Sequence, residues 1–220
     1  MGWRAGVPSP PVHIETIDCE YTHPRFAAAY LMVHEGRAAF VDNNTVHAVP
    51  KMLDALKRHG LGPEAVDWCI ITHVHLDHAG GSSALMSACP NATLVAHPRA
   101  AVHAIDPSKL VKSAEAVYGV DRFRELYGVI DPIPAERVKQ MDDGETLELA
   151  GRTLHFLHTR GHANHHFVIH DPEEGVVFTG DAFGLVYPDL CVNGTFAFPS
   201  TSPTDFDGPL AREAVDRIVG

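Results

Sequence analysis

The strongest constraint on the fold is a cluster of histidines that directly follows a short apolar segment. Residues 68–72 form the continuous apolar run that is typical of a buried β-strand. His73, His75, Asp77 and His78 come immediately after it. Side chains at alternate positions of a strand end point to the same side, so His73 and His75 can meet at one ion. Because imidazole and carboxylate groups together suit zinc, iron or manganese, the cluster predicts a metal site.

A second polar cluster follows the strand predicted at residues 153–157. Gly161 allows a close turn there, and the next residue, His162, could complete a three-histidine site with the pair described above. His165 and His166 are open to two interpretations, since one could orient a metal ligand from behind and the other could simply be exposed. Exposure is the simpler interpretation for His165.

A third element is weaker on its own, because it is only a Gly-Asp pair after an apolar strand. The strand is predicted at residues 176–179 and is followed by Gly180 and Asp181. A carboxylate at this position could bridge two ions, although Gly-Asp pairs occur in many turns. The histidine content supports the interpretation, since the chain has 16 histidines and 11 of them lie between His73 and His170.

The remaining pattern predicts one mixed α/β domain over residues 1–220. Two apolar strands at residues 30–34 and 37–41 flank Glu35 and Gly36 as a hairpin. Helices are predicted at about residues 47–59, 80–89 and 100–127, the last with a break near Gly119. Further strands are predicted at residues 93–96, 146–149, 153–157, 167–170 and 176–179.

The last predicted helix covers residues 202–220. Thr204 or Asp205 could cap its N-terminus. Its apolar face would consist of Leu210, Ala214, Val215 and Ile218. A helical insert is expected at about residues 100–135, where it would cover the metal site.

Bulk composition indicates an ordinary globular protein, with 45% hydrophobic and 20% charged residues. No apolar run has the length that a membrane-spanning helix needs. The net charge of −11 argues against nucleic acid as a partner, so we expect a small-molecule substrate and no membrane or nucleic-acid partner. Residues 1–11 lack the apolar stretch of a signal peptide, and the four cysteines include no C-x-x-C pair. We therefore expect free thiols and a cytoplasmic location, with the oligomeric state left open.

Three motifs together resemble the metallo-β-lactamase superfamily and its hydroxyacylglutathione-hydrolase-like members: His73-x-His75-x-Asp77-His78, Gly161-His162 and Gly180-Asp181. The resemblance covers about residues 28–200. Thr159-Arg160-Gly161-His162 is similar to the Thr-Pro-Gly-His of the family, with Arg160 in place of proline. The resemblance implies a four-layer αββα sandwich of the α/β class, with the metals at one edge between the two sheets.

The resemblance also implies roles for individual residues. A first metal would be held by His73, His75 and His162, a second metal by Asp77 and His78, and Asp181 would bridge the two. Asp77 would also help to position the nucleophile, which makes it the candidate catalytic residue. Candidate supporting residues or substrate contacts are His166, Asp42, Phe183 and Tyr187.

One feature departs from the family pattern. A further histidine is expected on the second metal, well downstream of the bridging Asp181, but the last histidine of the chain is His170. We therefore expect that the chain lacks the final strand and loop of the fold. If the chain were complete, the second site would lack a ligand.

The expected activity is hydrolysis of a small ester, thioester, lactone or amide by a metal-bound hydroxide. Zinc, as two ions, is the expected cofactor, with iron or manganese as alternatives. A second hypothesis is a mononuclear non-haem iron persulfide dioxygenase, in which His73, His162 and Asp181 would hold the iron. A third is a metal-binding fragment without turnover.

Overall fold

Two β-sheets lie face to face in the structure, a computed structural model that describes residues 11–202 and 205–220. Within these residues the first sheet has six strands, which follow chain order across the sheet: β1 (His13–Asp18), β2 (Ala28–His34), β3 (Arg37–Val41), β4 (Val66–Ile70), β5 (Thr93–Ala96) and β6 (Val138–Gln140). The strands from β1 to β3 pair antiparallel, and those from β3 to β6 pair parallel. The second sheet is antiparallel and also follows chain order, with β7 (Thr146–Leu149), β8 (Arg152–His158), β9 (Phe167–Asp171) and β10 (Val176–Phe178).

One hydrophobic core fills the space between the two sheets. Met32 and Ile70 of the first sheet contribute to it together with Phe156 and Phe167 of the second. The two phenylalanine rings meet edge to face, with their centroids 5.0 Å apart. Removing each such aromatic side chain from water stabilises the fold by about 1.5–3 kcal/mol. This core holds the ends of β4 and β8 near each other, which is where the histidine clusters begin.

Helices cover the outer face of the first sheet and bury a second core. They are α1 (Val49–Arg58), α3 (Ser82–Ala88) and α4 (Pro98–Ile105), and α2 (Leu76–Ala79) precedes α3. Met52 and Leu56 lie one turn apart on α1 and pack with Leu31 and Phe40 of the sheet. The helix predicted at residues 47–59 and the 35–36 hairpin are therefore confirmed.

The predicted helical region between residues 100 and 127 is also confirmed, as three helices. They are α4, α5 (Ser108–Tyr118) and α6 (Val120–Tyr127), with Gly119 at the predicted break. A further interruption precedes Pro107, since the residue before a proline avoids helical geometry. Phe123 and Tyr127 of α6 pack with Leu76 of α2, so this region lies against the histidine motif.

Two strands, β1 and β6, and the helix after the histidine motif differ from the predictions. The patterns above do not predict β1, whose burial does not alternate cleanly, or β6, which has only three residues. The helix predicted at residues 80–89 is shorter, and α2 lies before it. Asp77 and His78 therefore lie on a helical turn rather than in a connecting turn.

The C-terminal helix, α7 (Gly208–Val219), begins later than predicted. Its cap is Asp207, whose carboxylate accepts a hydrogen bond from the backbone N–H of Leu210 at 3.0 Å. Asp205 lies in a turn instead, and Thr204 lies outside the described residues. The expectation that Thr204 or Asp205 caps the helix is therefore replaced by Asp207.

α7 packs beside the end of the second sheet with the face that was predicted to be apolar. Ala214 is buried and Leu210, Val215 and Ile218 are half-buried. Arg217 donates a hydrogen bond to the backbone carbonyl of His158 at 2.8 Å, at the end of β8. The two facing sheets, with helices on the outer face of the first and α7 beside the end of the second, form the mixed α/β sandwich that was expected.

No helix in the described part of the chain combines the length and the apolar character that crossing a membrane requires. The expectation about a signal peptide concerns residues 1–11, of which residues 1–10 lie outside the described part.

Candidate metal centre

Three histidine ring nitrogens converge where β4 and β8 end. His75 Nδ1 lies 2.9 Å from His73 Nε2 and 2.9 Å from His162 Nε2. His73 and His162 are buried, and His75 is half-buried. The structure therefore brings together the three residues that the sequence assigned to a first metal.

Hydrogen bonds to the opposite ring nitrogens hold two of these imidazoles in orientation. His162 Nδ1 lies 3.1 Å from the backbone carbonyl oxygen of Ser200, so it is the protonated nitrogen and donates to that oxygen. His73 Nδ1 lies 3.1 Å from the hydroxyl of Thr72. Such partners leave the Nε2 lone pair free to face a metal ion. Ser200 was not predicted, because it lies in an irregular segment without a motif.

Gly161 lets α7 pack directly against the loop that carries His162. Its φ is +128°, which side chains rarely adopt, and a Cβ at this position would overlap the backbone of Ala211. The backbone carbonyl of Gly161 also accepts a hydrogen bond from the N–H of Asp207 at 2.8 Å. The glycine of the second cluster thus fixes the loop to the start of α7.

A second group of ligand atoms adjoins the first and contains His73, His78 and Asp181. His78 Nε2 lies 3.2 Å from Asp181 Oδ1. The other oxygen of that carboxylate, Oδ2, lies 3.5 Å from His162 Nε2 and accepts a hydrogen bond from the Ser200 hydroxyl at 2.9 Å. Asp181 thus has one oxygen facing each group, and its role as a bridging carboxylate stays a prediction.

Two residues of the predicted clusters are placed differently from the rest. Asp77 belongs to neither ligand group in the described residues, since its Oδ2 is 3.8 Å from His78 Nε2 and its side chain is 46% exposed. Its metal-binding and catalytic roles stay predictions. His165 is half-buried rather than exposed, with its ring centroid 5.4 Å from that of His75. The expectation of a simply exposed His165 is wrong, because the ring packs beside the centre.

The two predicted supporting residues lie directly behind the ligands. Asp42 accepts hydrogen bonds from the backbone N–H of Thr72 at 2.8 Å and from its hydroxyl at 3.0 Å, and it contacts His78 Nδ1 at 2.8 Å. His166 Nε2 accepts a hydrogen bond from the backbone N–H of Asp181 at 3.2 Å. Its other ring nitrogen bonds the hydroxyl of Thr159, at 2.9 Å.

Two imidazoles of the first group, His73 and His75, are kept neutral by their surroundings. Burial, together with the neighbouring ring of His162, lowers the pKa of His75 to about 4. Burial and the surrounding histidines also lower the pKa of His73 well below its ordinary value. Both rings are therefore uncharged near pH 7 and can offer a lone pair to a cation.

The second group has the opposite electrostatics. Burial disfavours a charge on His78, but the carboxylates of Asp42 and Asp77 outweigh it and raise the pKa of His78 well above its ordinary value. Burial likewise disfavours a charged Asp181, but the hydrogen bond and the charge of His78 hold the pKa of that carboxyl below its usual range. This part of the centre is therefore rich in negative charge, which favours a cation.

The donor set fits a metal ion. Three imidazoles with one adjoining carboxylate are ligands that zinc and related divalent metals accept. Tetrahedral zinc, at about 2.0–2.1 Å from each nitrogen, would separate its nitrogen ligands by about 3.3 Å. The 2.9 Å separations in the first group need to open by only a few tenths of an ångström.

Two clefts meet at the centre. The larger has a volume of about 750 Å³ and is lined by Asp77, His78 and Asp181 together with residues of β1, β2 and β10. The smaller, about 440 Å³, extends from His162 and Asp181 towards α7. Phe183 lines both clefts and Tyr187 lines the larger, so both candidate substrate contacts lie next to the centre.

The family model of the metallo-beta-lactamase superfamily matches residues 23–218, which is most of the chain. The chain belongs to this superfamily. Among solved structures of the superfamily, the ST1585 protein from Sulfolobus tokodaii superimposes with a TM-score of 0.70. The two chains are 24% identical, and the superposition covers 94% of this chain and 75% of the other. At this identity the likeness shows the metallo-β-lactamase fold alone.

Curated relatives within the superfamily include hydrolases. The hydroxyacylglutathione hydrolase of Aeromonas hydrophila is 27% identical over 163 residues, which are 73% of this chain and 48% of that enzyme. The acyl-coenzyme A thioesterase MBLAC2 of Homo sapiens is 28% identical over 167 residues, which are 67% of this chain and 51% of the relative. The chain thus spans about half the length of these two relatives.

Proposed function

We propose that the chain is a metal-dependent hydrolase that acts on the carbonyl group of a small ester, thioester, lactone or amide, with zinc as the metal. The observation that carries the proposal is the convergence of His73, His75 and His162 on one point. Two of these rings are oriented by hydrogen bonds on their far side. The neighbouring clefts reach His162, His78 and Asp181, so they bring a small molecule to the edge of the centre.

In this proposal the candidate ligands hold two metal ions. The three histidines would hold a first ion, and His78 with Asp181 would contribute to a second. When bound, zinc supplies water with a pKa of about 7 and polarises a carbonyl oxygen. The carboxylate of Asp181 is itself fixed by the hydroxyl of Ser200, so its oxygens cannot rotate freely.

Thioesters are the substrate class to test first. The two hydrolase relatives are named for acyl-coenzyme A and for hydroxyacylglutathione, in both of which the acyl group is attached to a thiol. Thiolates are good leaving groups, so such a substrate needs no strong general acid beside the leaving atom. The proposal therefore needs no general acid among the described residues beyond the candidate ligands.

The persulfide dioxygenase hypothesis explains less of the geometry. It would use His73, His162 and Asp181 around iron and would leave His75 without a role. In the structure, His75 Nδ1 lies 2.9 Å from the Nε2 atoms of both His73 and His162. That placement favours a three-histidine site.

The experiment that tests the proposal combines metal analysis with a substrate panel. Purified protein loaded with zinc should hydrolyse at least one of four model substrates: a thioester, an aryl ester, a lactone and an amide. His75→Ala should lose both metal and activity. His170→Ala, which replaces a half-buried histidine of β9 outside both ligand groups, is the matched control and should keep both.

Three results would overturn the proposal. Full metal content in His75→Ala would show that the three-histidine group does not hold the ion. Failure of the zinc-loaded protein on all four substrates would reject hydrolysis. Iron near one ion per chain, with oxygen uptake on a persulfide, would support the dioxygenase hypothesis instead.

A further inference from the structure

We infer that the smaller cleft binds an apolar, uncharged acyl group, and that the larger cleft binds the polar group released by hydrolysis. The inference rests on the proposed function and names its substrate class: thioesters or esters of apolar acyl groups of several carbons. Four observations carry it, namely the lining of the smaller cleft, its continuity with the metal centre, its charge and the contrast with the larger cleft.

The smaller cleft has an apolar wall that is built from two separate segments. Phe183 and Phe198 come from the segment that follows β10, and Val215 comes from α7. Phe206, just before α7, completes the wall. Phe183 and Phe206 keep 44% and 38% of their surface exposed, so an apolar ligand would remove aromatic surface from water there.

The wall is continuous with the centre. His162 and Asp181 line the same cleft, so one end of it lies at the edge of the metal centre. A carbonyl carbon placed there would have one substituent directed into the apolar cleft. The other substituent would pass Asp181, Ser200 and Phe183, which line both clefts.

The charge of the smaller cleft favours a neutral occupant. Arg212 is the one lysine or arginine among the residues that line it in the described part of the chain. That side chain is exposed, so its methylene stem can cover the wall while its guanidinium stays in water. An anionic acyl group would instead bring its charge close to Asp181.

The larger cleft has a different character. Its lining mixes apolar side chains, among them Phe26, Leu185 and Val186, with the hydroxyl groups of Thr16, Tyr21 and Tyr30 and the carboxylates of Asp42 and Asp77. Its volume of about 750 Å³ also exceeds the 440 Å³ of the smaller cleft. The hydroxyl and carboxylate groups of the larger cleft offer hydrogen bonds that an alkyl chain cannot use but that a polar thiol or alcohol can.

The test is a chain-length series on one thiol carrier, from acetyl to octanoyl, with zinc-loaded protein. Each methylene that enters the cleft should raise kcat/KM about fourfold, the equivalent of about 0.8 kcal/mol per buried CH₂. Val215→Phe fills the cleft, so we expect it to lower kcat/KM for hexanoyl and octanoyl substrates at least tenfold more than for the acetyl substrate. Val219→Phe is the matched control, because Val219 lies on the same helix, is 66% exposed and does not line the cleft.

Phe206→Ala gives a second measurement that does not depend on how the larger side chain is accommodated at position 215. It removes part of the wall and should flatten the chain-length profile. A flat wild-type profile, or equal losses for acetyl and octanoyl substrates in Val215→Phe, would overturn the inference and leave the proposed function intact. Failure of the wild type on every thioester in the series would also overturn the inference, and the proposed function would fall with it only if the aryl ester, the lactone and the amide failed as well. Circular dichroism and zinc content confirm that each variant is folded and loaded.

Discussion

Gly180 occupies a position where one added carbon should disturb the candidate metal centre. Its φ is +47°, and a Cβ there would lie 2.6 Å from Thr72 Oγ1 and 2.7 Å from His166 Nε2. Both atoms belong to buried side chains that are already hydrogen bonded, Thr72 to Asp42 and His166 to the backbone of Asp181. Neither side chain can move away without weakening those bonds.

The expected cost of Gly180→Ala has two parts. The left-handed backbone conformation costs an alanine roughly 1–2 kcal/mol more than a glycine. Ordinary contacts begin at 3.4 Å, so the neighbours must move by about 0.8 Å, and overpacking of this kind costs about 1–3 kcal/mol. Together these amount to about 2–5 kcal/mol, which in a chain of this length lowers Tm by roughly 4–20 °C.

Thermal unfolding followed by circular dichroism measures the effect, with Gly144→Ala as the control. Gly144 also has a positive φ, +81°, but a Cβ there would meet nothing within 4 Å. The control should therefore show the backbone cost alone. Zinc affinity should fall about 10–100-fold in Gly180→Ala, since the displaced groups orient metal ligands, and should not change in Gly144→Ala. Equal Tm values and equal zinc affinities for the two variants would refute the reasoning.

Three further outcomes follow from the same contacts. Ser200→Ala removes the hydroxyl that fixes Asp181, so zinc affinity should fall about tenfold with little change in Tm, as measured by competition with a chromogenic chelator. Asp171→Asn leaves the buried guanidinium of Arg152 without its one buried carboxylate among the described residues and should cost about 3–5 kcal/mol in denaturant unfolding. Glu173→Gln, at an exposed partner of the same arginine, should cost under about 1 kcal/mol. Chelation of the metal should lower the Tm of the wild type, and added zinc should restore it, because a ligand of the folded state stabilises that state. An unchanged Tm after complete metal removal would contradict the last expectation.

The elements that could be predicted from sequence are those whose hydrophobic period is unambiguous. The β2–β3 hairpin has two apolar strands around Glu35 and Gly36, whose φ values of +45° and +76° suit a two-residue turn. By contrast, β1 pairs with β2 over its whole length but lacks a clean alternation of apolar and polar residues. Its place in the sheet comes from pairing, which a local pattern does not contain.

The start of α7 shows a second limit. Thr204, Asp205 and Asp207 all have side chains that can cap a helix, so sequence alone does not choose among them. In the structure the backbone N–H of Asp207 bonds the carbonyl of Gly161, which is 46 positions away along the chain. This long-range contact sets where the helix begins, and a local motif cannot predict it.

The site residues that could be predicted from sequence are those in motifs that directly follow predicted strands. His73, His75 and His162 follow predicted strands, and the structure brings them together. Ser200 contacts both His162 and Asp181, but it lies in a segment without regular structure or a recognisable pattern. A residue that holds another side chain in place can be of many types, so sequence does not reveal it. Such residues are recognised only from their tertiary contacts.

The two ligand groups differ in how fully the protein orients them before metal binds. In the first group, His73 and His162 each have the far ring nitrogen bonded, one to a buried hydroxyl and one to a backbone carbonyl. For the second ion, Asp42 orients His78. The further ligand predicted for that ion, Asp77, lies outside both ligand groups and its side chain is 46% exposed, so it has to be ordered when the ion binds. Ordering one such side chain costs on the order of 1 kcal/mol, and that cost is taken from the binding of the second ion. A first ion should therefore bind more tightly than a second, because buried contacts already order the side chains of the first group before the ion binds.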